Sequence, residues 1–193
     1  MNNIRAREKH GIVRPDMIHL LLEARKNGET QNVQDQDIIA QALSFLFAGF
    51  DSVSALMCFM SHELAVNPDV QQRLIQEVDE TAEACNGKVT YEALHGMKYM
   101  DMVVSETLRK WPAAVATERV CTKSYTIEPK FPDEKPIHLE KNAVVWVLIF
   151  GLHRDPQYYP EPERFDPERF SDENKASVKP YTYLPFGSGP RNC

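Results

Sequence analysis

Residues 38–61, IIAQALSFLFAGFDSVSALMCFMS, carry a single charge, Asp51, and from Asp35 to Val66 only Gly49 interrupts residues that favour a helix. A helix of about 32 residues, rising about 1.5 Å each, is about 48 Å long, and this one is apolar nearly all round. Such a helix either crosses a bilayer, for which about 20 apolar residues suffice, or runs through the centre of a large globular protein. Against the first reading, Gln41, Ser44, Asp51, Ser52 and Ser54 would sit near mid-bilayer, where the aspartate alone costs roughly 2.5–3.5 kcal/mol. No basic cluster tightly flanks the run. The expectation is a central helix of a protein larger than these residues would build alone.

The elements on either side are shorter and amphipathic. Pro15 and Asp16 introduce Met17, Leu20, Leu21 and Ala24 at helical spacing, and Gly28 closes that segment. Asn67 and Pro68 offer an N-cap and a first-turn proline to a helix carrying Val70, Leu74, Val78 and Ala82 and ending near Gly87. Thr90 to Leu94 reads as one short helical turn. Lys98 to Trp111 reads as a helix with Val103, Val104, Leu108 and Trp111, stopped by Pro112. Strand-like pieces follow at Val115–Val120, Tyr125–Ile127 and Ala143–Ile149, so the fold class is mainly α with a smaller β region (α+β). From 155 to 190, prolines at 156, 160, 162, 167, 180, 185 and 190 suppress regular structure. The aromatics Tyr158, Tyr159, Phe165, Phe170, Tyr181, Tyr183 and Phe186 predict that this coil is nevertheless packed.

Composition narrows the function. With 193 residues, 42% hydrophobic and 26% charged, the chain is neither a disordered tail nor a disulfide-stapled miniprotein. Lys and Arg number 22 against 28 Asp and Glu, a net charge of -6, which argues against a general grip on nucleic acid phosphates. The cysteines at 58, 85, 121 and 193 form no CxxC pair, so a zinc knuckle or thioredoxin-like pair is not indicated and a reducing compartment fits best. No charged-then-apolar leader follows Met1, and the turn-rich approach to Cys193 has nothing after it to hold it down; the expectation is a truncated chain.

Four constellations carry candidate chemistry. Cys193 follows Phe186-Gly187-Ser188-Gly189-Pro190-Arg191-Asn192, a thiol in a glycine-rich turn near positive charge. That setting favours the thiolate, which serves either nucleophilic attack or metal ligation. Gly187 and Gly189 would let backbone approach a flat cofactor and turn N–H groups toward sulfur; a phosphate loop would need a following Lys-Ser or Lys-Thr that is absent. On the long helix, Ala48-Gly49-Phe50-Asp51-Ser52 sets an acid and a hydroxyl beside a notch, either a proton-delivery pair or a plain helix kink. Glu106 and Arg109 share a helix face, as many exposed pairs worth about 0.2–0.5 kcal/mol do. Arg169 in Pro167-Glu168-Arg169-Phe170 could share that carboxylate and staple the coil to the helix.

Taken in order, these pieces resemble the cytochrome P450 family. Residues 186–193 look like its haem-binding loop, Glu106 to Arg109 like its ExxR helix, Pro167 to Phe170 like its PERF segment, and Ala48 to Ser52 like its oxygen-binding groove. The resemblance implies a partial domain over 1–193, with the oxygen-groove helix at 35–66, the ExxR helix at 98–111, and the PERF segment and haem loop at 155–193. Arg14-Pro15-Asp16-Met17 and His153-Arg154-Asp155-Pro156 are similar to microsomal members of insects.

What the resemblance implies is specific. Cys193 would be the proximal thiolate on the iron of haem b, iron protoporphyrin IX. Phe186, Gly187 and Gly189 would shape its loop, and Arg119 and Arg191 would pair with propionates. Glu106, Arg109 and Arg169 would form a structural triad, and Asp51 and Ser52, with Ala48 and Gly49, would relay protons to dioxygen. Serine stands where the family usually has threonine; it keeps the hydroxyl without the methyl that restrains its rotamer, so looser coupling of electrons to product is expected. The implied activity is monooxygenation of a small apolar substrate by O2. Its electrons would come from NADPH via cytochrome P450 reductase, with cytochrome b5 as an optional partner. The implied site is the cytosolic face of the endoplasmic reticulum membrane, through an anchor outside these residues. Rival readings are a thiolate-haem isomerase or peroxide-rearranging enzyme, which needs no proton relay, a haem-based sensor, or a non-haem scaffold.

Overall fold

The computed structural model describes residues 2–27, 33–190 and 192, apart from the side chains of Asn2, Asn3 and Glu8. Gly28, Arg191 and Cys193 lie outside the described residues. The chain divides into two compact units, Met1–Ser54 and Ala55–Cys193.

The first unit holds helices α1 (Asn2–His10) and α2 (Met17–Lys26) and the start of α3 (Asp35–Val66). Its small core is Ile4, Leu22 and Ile38, with Ile18, Leu21, Val33 and Ile39 packed around it. Asp16 caps α2 by accepting from the His19 N–H at 3.0 Å and takes a two-pronged bond from Arg7, both arms 2.7 Å. The Arg7 fork and that N–H hold the Asp16 carboxyl below the usual carboxylate range. The α1 sequence, NNIRAREKH, has too few apolar residues to announce a helix; Ile4 and Arg7 are its buried contacts.

Helix α3 has the bounds read from the sequence. Its mean hydropathy reaches 1.7 over the most apolar window, none of which is buried, so length and composition alone would let it cross a membrane. Phe45, Leu46, Phe47 and Phe50 all stand exposed in the first unit.

The second unit is built on α4 (Pro68–Ala84) and α6 (Lys98–Lys110), joined through the short α5 (Tyr91–His95). Val70 and Leu74 of α4 pack on Tyr99, Met102 and Val103 of α6, with Phe165 from the coil completing the cluster. Met97 supplies no side-chain cap to α6. Glu77 of α4 does instead, accepting from the N–H groups of Tyr99 and Met100, both at 2.8 Å. A carboxylate at a helix N-terminus satisfies orphan donors and opposes the positive end of the dipole. Glu77→Ala is therefore expected to lower stability by about 1–2 kcal/mol, read as a shift in denaturant midpoint; an unchanged midpoint would show that water replaces the cap.

Two small antiparallel sheets follow. β1 (Thr117–Val120) pairs with β4 (Val144–Val147), Thr117 opposite Val147, and β2 (Tyr125–Ile127) pairs with β3 (Ile137–Leu139). The first and last strands are shorter than their sequence pattern suggests. The Val115 carbonyl accepts the Phe150 N–H at 3.0 Å rather than extending the ladder, and residues from Ile149 wind into α7 (Ile149–Leu152), which buries Ile149. β3 has only three residues, mostly exposed, and exists by virtue of its partner. The proline-rich coil carries two 3₁₀ turns, Pro167–Phe170 and Lys175–Ser177; of the aromatics expected to pack it, Tyr159 and Phe165 are buried, Tyr158, Phe170 and Tyr183 are partly buried, and Tyr181 and Phe186 are exposed, against the expectation.

Candidate functional site

The centre of the second unit is a charge pair with no exposure. Glu106 and Arg109, one turn apart on α6, are both 0% exposed. Arg109 donates from Nε to Glu106 Oε2 at 2.7 Å and from Nη2 to Oε1 at 2.9 Å. Its remaining capacity goes to backbone carbonyls, His153 O at 2.8 Å from Nη1 and Pro162 O at 2.8 Å from Nη2. One arginine thus fixes a helix, the end of α7 and the coil. Spacing alone could not distinguish this from a surface pair; burial does.

The second arginine plays a lesser part than a shared fork. Arg169 Nε lies 3.5 Å from Glu106 Oε1, within ion-pair range but without a hydrogen bond among the described residues, while Nη2 donates to Glu161 O at 3.0 Å. The Asp166 N–H donates to Glu106 Oε1 at 2.9 Å. Burial pushes the Glu106 carboxyl up, opposed by the Arg109 fork, the Asp166 N–H and Arg169; three hydrogen bonds and a nearby cation all address the ionised form. The triad residues named from the sequence are therefore brought together.

Around the glycine turn, Gly187 and Gly189 have φ of +72° and +118°, and a Cβ on either would meet nothing within 4 Å. Both positions need the left-handed freedom of glycine. Arg119, exposed on β1, donates from Nη2 to Ser188 O at 3.1 Å, so β1 and the turn are joined. Phe186 is exposed. Arg191 and Cys193 fall outside the described residues, so the ligand itself is not part of this geometry.

Ala48, Gly49, Asp51 and Ser52 belong to the first unit, all exposed on α3. Ser52 Oγ donates to Ala48 O at 2.6 Å, and Ser54 Oγ to Asp51 O at 3.1 Å. Gly49 has open space where a Cβ would stand. A serine bonded back to the preceding turn leaves its oxygen lone pairs available as acceptors.

Two buried groups escaped sequence reading. Glu63, 1% exposed, accepts from Trp111 Nε1 at 2.8 Å and pairs with Lys110 Nζ at 2.9 Å, while Trp111 stacks on Phe59 with centroids 4.6 Å apart. His153, 0% exposed, sits between α6 and the residues leading to the glycine turn. Its only sequence signal was the His-Arg-Asp-Pro texture. A cleft of about 580 Å³ lined by Arg73, Glu77, Lys98, Tyr99, Glu168 and Asp172 contains none of the residues named above for chemistry. Among the described residues no cluster of His, Cys, Asp or Glu could hold a bare metal ion.

The family model described as Cytochrome P450 matches residues 2–193. Cytochrome P450 9e2 of Blattella germanica is 54% identical over 206 residues, covering 100% of this chain and 38% of its own. Probable cytochrome P450 9f2 of Drosophila melanogaster is 49% identical over 202 residues, covering 100% and 39%, and Cytochrome P450 6k1 of Blattella germanica is 42% identical over 212, covering 100% and 40%. The chain spans about two-fifths of the length of these relatives.

Proposed function

Because the chain belongs to the cytochrome P450 family, we propose that the whole protein is a haem-thiolate monooxygenase that inserts one oxygen atom of O2 into a small apolar substrate. Haem b, when bound, would supply the oxygen-activating chemistry, favoured by electron density from a thiolate ligand. The described part of the loop suits a flat group with an anionic edge. Open space lies beside Gly187 and Gly189, and the Arg119 guanidinium is held at the turn through Ser188 O. Cys193 would hold the iron through sulfur, Arg119 and Arg191 would take the propionates, and Phe186 would pack against the loop.

The observation that carries the reading is the fully buried Glu106–Arg109 fork with Arg169 beside it. It ties the coil that leads to the cysteine onto a rigid helix, as a ligand that must not wander requires. Ser52 Oγ, with its proton directed to Ala48 O, can accept a proton from a donor on one side and pass its own on, and Asp51 one residue away is the acid that would resupply it. The exposed apolar face of α3 would be covered by the remainder of the protein rather than by lipid. NADPH-cytochrome P450 reductase and cytochrome b5 would deliver electrons at the cytosolic face of the endoplasmic reticulum.

With reductase, NADPH and ¹⁸O₂, the whole haem-loaded protein should put one labelled atom into an apolar substrate from a test panel. Ser52→Thr should raise product formed per NADPH, because a β-branched hydroxyl holds its rotamer better. Product formed without O2 or NADPH would point instead to an isomerase.

A further inference from the structure

The protonation state of His153 is dictated by its partners. Nε2 lies 2.8 Å from the Leu184 backbone nitrogen, whose N–H can only donate, so Nε2 must present a lone pair. Nδ1 lies 3.1 Å from the carbonyl oxygen of Arg109, which can only accept, so the proton is on Nδ1. The His153 carbonyl in turn accepts from Arg109 Nη1 at 2.8 Å. Residue 153 and residue 109 are thus bonded reciprocally, ring to carbonyl and guanidinium to carbonyl.

What this buried ring holds is the root of the glycine turn. The Leu184 N–H is on His153, and the Leu184 carbonyl accepts the Gly187 N–H at 3.1 Å, which closes the turn. The two residues before it are fixed as well: Tyr159 Oη donates to Thr182 O at 3.2 Å, and Tyr183 Oη donates to Ser105 O at 3.0 Å. The Tyr183 ring stacks on the imidazole, centroids 5.5 Å apart. Of these ties, only the one at Leu184 acts on the peptide that the turn is built from.

We infer that His153 is a positioning residue for the cysteine-bearing loop: as its Nδ1–H tautomer it orients the Leu184 peptide, and through the Leu184–Gly187 bond it sets the backbone that presents Cys193. The inference rests on the reading of Cys193 as the haem ligand. An imidazolium would turn an N–H against the Leu184 N–H and add charge beside Arg109 and Arg154. Among the described residues, no carboxylate bonds the ring, and the nearest acids are already engaged. Glu106 is engaged by Arg109, Glu163 by Arg154, and Tyr159 and Tyr183 are phenols pushed above their usual range by burial.

The test uses the whole haem-loaded protein and variants His153→Gln, which keeps one donor and one acceptor, and His153→Phe, which keeps a stacking ring and neither bond. The readout is the rate at which the thiolate-type Soret band of the reduced CO complex converts to the shorter-wavelength band of a lost thiolate. Conversion should be about tenfold or more faster in His153→Phe, as expected when a part-buried N–H loses its acceptor, and near wild type in His153→Gln. An unchanged rate in His153→Phe overturns the inference. If His153→Phe does not fold, ¹⁵N spectra of the wild-type CO complex at neutral pH decide: a protonated Nδ1 and bare Nε2 support the inference, and the opposite tautomer overturns it. A wild-type protein that takes up haem without the thiolate band overturns the reading of Cys193, and the inference with it.

Discussion

Arg109→Leu is expected to cost about 3–5 kcal/mol of stability, the largest effect of any single substitution away from the ligand. The loss is not that of one salt bridge. Glu106 would be left as a buried carboxylate with only the Asp166 N–H and the more distant Arg169, and the carbonyls of His153 and Pro162 would lose their donors. Arg109→Lys keeps the charge but cannot make the fork and reach two carbonyls together, so most of the loss should persist. Replacing both members of a buried pair by apolar residues is often nearly neutral. Here a Glu106→Leu, Arg109→Leu double variant should recover little, because the orphaned carbonyls stay orphaned. Denaturant midpoints of the four proteins measure this, and an Arg109→Leu variant within about 1 kcal/mol of wild type would show the network to be ornamental.

The second large effect is with pH. Burial pushes the His153 imidazole down to about 4 from an unfolded value near 6.5. At pH 7.5 neither folded nor unfolded chain protonates it, and its bonds contribute in full. As pH falls below about 6.5 the unfolded chain takes up a proton that the folded one refuses, so stability declines until about pH 4, by roughly 3 kcal/mol in all. Below that pH the group adds no further slope. Glu106, shifted upward, acts in the opposite sense, and Asp172, held down to about 2 by Lys175 and Lys98, loses its contribution only at lower pH. Denaturant midpoints taken between pH 7.5 and 4.5 should therefore fall in wild type, and the fall should be smaller in His153→Gln by about the amount assigned to this group. Parallel curves for the two proteins would remove His153 as the source.

How much of this was legible in the sequence depends on the range of the interaction. Helix α3 and the first-turn proline of α4 were readable because periodicity and proline placement act within a turn or two of the chain, but the cap expected of Asn67 does not form: its side chain donates back to Glu63 O at 2.8 Å instead. The α+β class followed from the same local signals. Strand ends were not readable: Val115 and Ile149 look like strand residues, but the Val115 carbonyl takes the Phe150 N–H and Ile149 begins α7. Helix α1 was invisible because its polar residues carry no stripe, and β3 because its three mostly exposed residues depend on pairing with Tyr125–Ile127.

At the site, the spacing of Glu106 and Arg109 was plain, yet their burial was not, since the elements that cover them lie 44–60 residues further along. His153 is the extreme case: its ring bonds reach 44 residues back and 31 forward. The resemblance to a known family named the Glu106, Arg109 and Arg169 group, and only the fold shows Arg109 to dominate it.

The central claim is that the anionic sulfur of Cys193 holds the haem iron. It is tested most directly by the reduced CO difference spectrum of the whole protein and of its Cys193→Ala variant, each shown independently to contain haem. The expected result is a thiolate-type Soret band in the first and none in the second. A variant that binds haem and keeps that band would contradict the account.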